Sequence, residues 1–151
     1  MANTQAMCTS FKAEVLTATH NFGTAPTRGS SAADSFKAAL FLASATVNAT
    51  TTAYSASGEV SGTNYVAGGN AITSWNAPTS SGTTAYTTPT ATITWADVTL
   101  TTPFDAVLVY NSTQSNKAVS VHTFGSQTIT AGTFSLTMPS NDSTNALLRF
   151  A

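Results

Sequence analysis

The 151 residues are 42% apolar but only 7% charged, with five Lys or Arg against six Asp or Glu and a net charge of −1. Ordinary soluble domains are about 25% charged, so Thr, Ser, Asn, Gly and Ala must cover this surface, and such a surface resists self-association less than a charged one. The apolar fraction excludes intrinsic disorder, the scatter of Lys12, Arg28, Lys37, Lys117 and Arg149 excludes the basic cluster that nucleic acid or an anionic membrane demands, and the lone Cys8 excludes an intrachain disulfide framework.

A chain of this length is expected to form one domain, residues 1–151, burying about two-thirds of the surface its unfolded form exposes. The opening MANTQAMCTSFKAEV has no basic stretch leading into a continuous apolar run, and nowhere do eighteen apolar residues follow one another. Neither an export signal nor a membrane span is expected, and the single cysteine permits cytosolic synthesis. Asn-X-Ser/Thr triplets at Asn48, Asn111 and Asn141 arise by chance in so Ser- and Thr-rich a chain and are not read as glycosylation sites.

In chain order, Met7, Phe11 and Val15, with Leu16 beside them and Asn3 or Thr4 as cap, predict an amphipathic helix over about 4–19. Gly23, Pro26 and Gly29 make His20 to Asp34 a loop. Phe36, Ala38, Leu40 and Leu42 alternate, which predicts a strand; the Ala/Thr/Ser run to Thr52 reads as extended or irregular. Gly58, Gly62, Gly68 and Gly69 place turns on either side of a short strand at Tyr65. The polar stretch Trp75 to Pro89 is expected to project as a loop or hairpin, a contact arm.

After residue 90 five strands are predicted, around Ile93/Trp95, Val107 to Tyr110, Val119/Val121, Phe134/Leu136 and Leu148/Phe150. Turns are expected at Thr102-Pro103, Asn111 to Asn116, Phe124-Gly125-Ser126, Ala131-Gly132 and Pro139 to Asp142. Short strands so spaced from about 36 to 150 predict a mainly β fold, an antiparallel β-sandwich or barrel-like domain with one N-terminal amphipathic α-helix. No fixed-period repeat occurs.

The residues that do chemistry are few. His20 and His122 have no supporting signature, no Gly-X-Ser-X-Gly elbow is present, and His122 falls opposite Val119 and Val121, where a solvated or interfacial strand residue is expected. Glu14, Asp34, Glu59, Asp97, Asp105 and Asp142 are singletons in sequence. Among them Glu59 stands out: a carboxylate among glycines can accept several backbone N–H bonds and anchor a loop. One Cys and two distant His predict no metal site, and no phosphate-cradling motif offers a cofactor a seat. No enzymatic activity and no cofactor are expected. Trp75, Tyr54, Tyr65 and Tyr86, in the turn-rich first half, leave a carbohydrate-binding module open as a rival reading.

Three stretches then carry a resemblance: Thr9-Ser10-Phe11-Lys12 through His20-Asn21-Phe22; Phe36 to Phe41; and Thr52-Ala53-Tyr54 through Gly58-Glu59-Val60-Ser61-Gly62 to Tyr65 and Gly68-Gly69. With Leu108-Val109-Tyr110-Asn111-Ser112, Lys117 to Val121, Phe124-Gly125, Gly132-Thr133-Phe134, Met138-Pro139 and the closing Leu147 to Ala151, they resemble a family of small tailed-phage virion proteins over nearly the whole chain. Asn64, where a Gly is usual before the Tyr, and a longer loop from Thr24 to Asp34 depart from that pattern. The resemblance implies a virion component, a decoration or cement protein on the capsid surface, whose partners are the major capsid protein and copies of itself. A closed homo-oligomer is expected, a trimer for preference, with dimer and monomer also open. The polar loops place the candidate contacts at Trp75, Pro78, Tyr86, Pro89, Asn111 and Asn116, and the helix over one face or edge of the sandwich. A tail- or fibre-associated virion protein is the alternative within the same class.

Overall fold

A single long hairpin organises the molecule. The computed structural model describes residues 3–16, 19–22 and 33–151. In chain order these form β1 (Ala6–Met7), α1 (Thr9–Leu16), β2 (Phe36–Leu42), β3 (Asn70–Ile72), β4 (Thr79–Ser81), β5 (Thr84–Thr87), β6 (Ile93–Asn111), β7 (Lys117–Leu136) and β8 (Leu148–Phe150). The fold is mainly β, as the alternation predicts, in two antiparallel sheets ordered β1-β7-β6-β2-β3 and β4-β5-β8. The larger sheet is open; it does not close into a barrel.

The core sits where β2 lies between β3 and β6. Phe36, Ala38, Ala39, Leu40 and Phe41 are all buried, because both faces of β2 are covered, and such strands read as unbroken apolar runs. In register against it stand Val109, Leu108 and Val107 of β6, opposite Ala38, Ala39 and Leu40. Successive side chains point to opposite faces, so Ala38, Val107 and Val109 share one face, and Lys37, Leu108 and Tyr110 the other.

Three strands follow residue 90, not five. Thr102-Pro103, Phe124-Gly125-Ser126 and Ala131-Gly132, expected as turns, all lie inside β6 or β7, 19 and 20 residues long. The β6–β7 register shifts at each of these places, and Asp97 (φ 54) and Ala131 (φ 46) adopt the left-handed backbone that bulges use. Pro103 lacks an N–H, but in a bulge none is required of it, and its carbonyl accepts the Ala43 N–H at 2.9 Å. Phe104 packs edge-on against Phe124 and Phe134, at 5.9 and 5.1 Å, and so braces the bulged part of the ribbon. The reversal between the strands does fall in the expected Asn111 to Asn116 segment, with Ser115 and Asn116 at φ 53 and 58.

The helix is shorter than predicted and is not clearly amphipathic: Phe11 is fully buried while Val15 is 38% exposed. Met7, expected on its apolar stripe, belongs instead to β1, which pairs Ala6 with Val121 and Met7 with Ser120. Residues 17–18 of the predicted helix, the Leu16 side chain and residues 23–32 of the predicted loop lie outside the described residues. The Trp75 to Pro89 arm is a hairpin, β4 and β5 turning at Gly82 (φ 58), and β5 is extended by the C-terminal β8.

Candidate functional site

Glu59 lies at the centre of a clamp. Its backbone runs beside β2, bridging Phe41, with the Val60 N–H donating to the Leu40 carbonyl at 3.0 Å. Its carboxylate accepts three hydrogen bonds, from the Tyr54 hydroxyl at 2.6 Å, the Tyr65 hydroxyl at 2.8 Å and the Gly68 N–H at 2.8 Å. Two tyrosines therefore supply most of what glycine N–H groups were expected to supply. The Tyr65 oxygen accepts the Leu40 N–H at 3.0 Å, and the Tyr110 hydroxyl donates to the Gly68 carbonyl at 2.7 Å. Burial, and then the negative Glu59, push Tyr54 and Tyr65 up and raise Tyr110 to about 12, so all three hydroxyls keep their protons. The turn they close needs glycine: at Gly69 (φ 68) a Cβ would lie 1.9 Å from the Ala38 carbonyl oxygen.

A second network ties α1 to the hairpin turn. Glu14 accepts Lys117 Nζ at 2.5 Å and His20 Nε2 at 2.7 Å. Asn111 Nδ2 donates to Asp34 Oδ2 at 2.7 Å and to His20 Nδ1 at 3.0 Å, which leaves the imidazole proton on Nε2, facing Glu14. Asn111 Oδ1 accepts the N–H groups of Thr113 and Gln114, both at 3.1 Å, and Gln114 Nε2 reaches Asp34 at 3.2 Å. Burial works to raise the Glu14 carboxyl, but Lys117 and His20 together outweigh it and hold that group below its ordinary range. Sequence separations of 91 and 77 residues hide this convergence from any spacing argument. Its groups are engaged with one another, which makes the assembly a clamp.

The face of β7 opposite Val121 is not solvated at His122, contrary to expectation. Val107, Val109, Leu136, Met138 and Leu147 wall a pocket of about 150 Å³ with His122 in it. Burial pushes the imidazole down to about 4, so it is neutral near pH 7. Ser120 and His122, two apart on the strand, meet at 2.8 Å between Oγ and Nε2. That is a nucleophile-to-base distance, with Ser120 buried at 1% exposure. Period-two alternation was the available signal for this pair.

The expected contact residues divide. Pro78 and Asn116 are exposed and Tyr86 is half-buried. Pro89 and Asn111 are buried: Pro89 bridges Trp75 at the base of the hairpin, and Asn111 is spent on Asp34 and the turn, so neither presents a contact surface. Trp75 is half-buried and packs edge-on against Phe22 at 4.8 Å and Phe36 at 5.4 Å. Tyr54 stacks on Tyr110 at 4.6 Å. These aromatics are turned into the protein, not arrayed as a sugar platform. Among the described residues no group of three or more His, Cys, Asp or Glu is placed to hold a metal ion. No protein-family model, curated protein or solved structure matches the chain.

Proposed function

We propose that the chain is a structural protein of a tailed-phage virion, a decoration or cement protein made in the host cytoplasm and bound to the outside of the capsid. Its partners are the major capsid protein and copies of itself, and it performs no catalysis. The observation that carries this reading is the disposition of its few charges. Glu14, Lys117, Asp34 and Glu59 are tied into internal networks, and Asp105 accepts the Asn3 amide at 2.6 Å. What faces outward on β4, at the Gly82-Thr83 turn and along Gly125 to Ala131 is Gly, Ser, Thr, Gln and Ala, with half-buried Ile129 beneath. Stripping water from hydroxyls and amides costs far less than stripping it from ions. A surface of this kind supports wide, permanent contact.

Function on this reading is free energy of association. A stable contact buries on the order of 1,600 Å² in total, and several modest contacts per oligomer add avidity through effective concentration. Mass spectrometry of purified full heads lacking tails is the test. The chain is expected there at high copy number; its presence only in the tail fraction would assign it to the tail or fibre instead.

A further inference from the structure

Among the described residues, the most exposed of the larger apolar side chains and an apolar pocket on the main sheet complement each other. Val66 is 67% exposed, well beyond Val15 at 38% and Phe150 at 37%, and Phe150 already leans on Phe11 at 6.0 Å. Val66 does not stand on a loose loop. Tyr65 before it is held by Glu59 and Leu40, Gly68 after it by Glu59 and Tyr110, and the Gly69 N–H donates to the Val66 carbonyl at 3.0 Å. An apolar knob on a preorganised turn loses little freedom on docking.

The His122 pocket, about 150 Å³, is the matching socket. A cavity of roughly that size accommodates a benzene-sized apolar group, enough for the Val66 isopropyl group with exposed Ala67 at its rim. The two features occupy opposite faces of the larger sheet. Gly68 packs on Tyr110 and near Lys37, whereas the pocket is walled by Ala38, Val107 and Val109, which alternate with them. A copy cannot fill its own socket, and two copies cannot exchange knobs across one interface.

We propose that Val66 of one copy enters the His122 pocket of the next, joining copies head to tail. A contact of this kind closes into a ring or runs on as a filament, and three copies make the smallest ring. The inference rests on the coat-protein reading in requiring many copies gathered at one place, and it gives the expected trimer a specific interface.

The test uses the full chain in solution. Light scattering after size exclusion is expected to give three times the 15.4 kDa chain mass. Val66→Asp, and Thr137→Trp on the exposed rim of the pocket, should each return the mass to that of one chain with the circular-dichroism spectrum of the folded chain retained and a melting temperature lowered only by the lost association; Val66→Ile should stay assembled. Val66→Cys and Thr137→Cys chains, mixed and oxidised with diamide, which takes up the two thiol hydrogens, should form a disulfide between the two variants. Val66→Cys alone should form none. A monomeric wild type, a Val66→Cys self-disulfide, or an oligomer indifferent to both surface substitutions overturns the contact. So does capsid binding lost with Thr137→Trp and kept with Val66→Asp, which would make the shell protein the occupant. The composition of heads is unaffected by any of these results and tests the coat-protein reading separately.

Discussion

Removing the Glu59 carboxylate tests whether that clamp holds the Tyr54 to Gly69 segment. Glu59→Ala strands the Tyr54 hydroxyl, the Tyr65 hydroxyl and the Gly68 N–H, which donate to it at 2.6, 2.8 and 2.8 Å. A hydrogen bond to a charged group contributes about 1.5–3 kcal/mol, and an unsatisfied buried donor costs about 1–3 kcal/mol. The site is only half-buried, so water recovers part of the loss, and a net destabilisation of about 3 kcal/mol is expected. For a chain near 150 residues that lowers the melting temperature by about 6–12 °C. Glu59→Gln keeps one acceptor and should lose about 1 kcal/mol. Urea unfolding and calorimetry of the three proteins measure this series. Glu59→Ala within about 0.5 kcal/mol of wild type, or Gln worse than Ala, would refute the clamp.

Three further outcomes follow from the same structure. The folded-state pKa of His122 is about 4 against an ordinary 6.5, so below pH 6.5 the unfolded chain binds a proton that the folded one refuses. Stability should be full above pH 6.5 and fall by up to about 3 kcal/mol as pH drops to about 4, levelling below that; His122→Phe should flatten this slope in acid melts. Gly69→Ala, at φ 68 with its Cβ 1.9 Å from the Ala38 carbonyl oxygen, should destabilise by about 3 kcal/mol or more, read by denaturant midpoint. With 7% charged residues, attachment to the particle should change little between low and moderate salt; release by moderate salt alone in a sedimentation assay would count against an uncharged contact.

How much of this is legible in the sequence depends on the distance over which each cause acts. The alternation in Phe36 to Leu42 and the unbroken apolar run Val107 to Tyr110 show their strands directly, because each pattern needs no partner to be recognised. Glu59 stands out through its glycine neighbours, but its two tyrosine partners are indistinguishable in sequence from exposed aromatics. Pro103, Gly125 and Gly132 mislead because the same residues that end a strand also permit a bulge, and the choice belongs to the strand across the ladder. Met7 follows a helical spacing, yet the β7 backbone at Ser120 claims it. The Glu14–His20–Asn111–Asp34 network leaves no local trace, since the fold alone brings its members together.

The central claim is that this nearly uncharged β scaffold works by adhesion to a phage head. Cryo-electron microscopy of full particles tests it most directly. Density for this chain is expected on the outer surface of the shell, spanning seams between capsid subunits in repeated copies. A bare outer shell, with the chain found elsewhere in the particle or absent from it, would contradict the account.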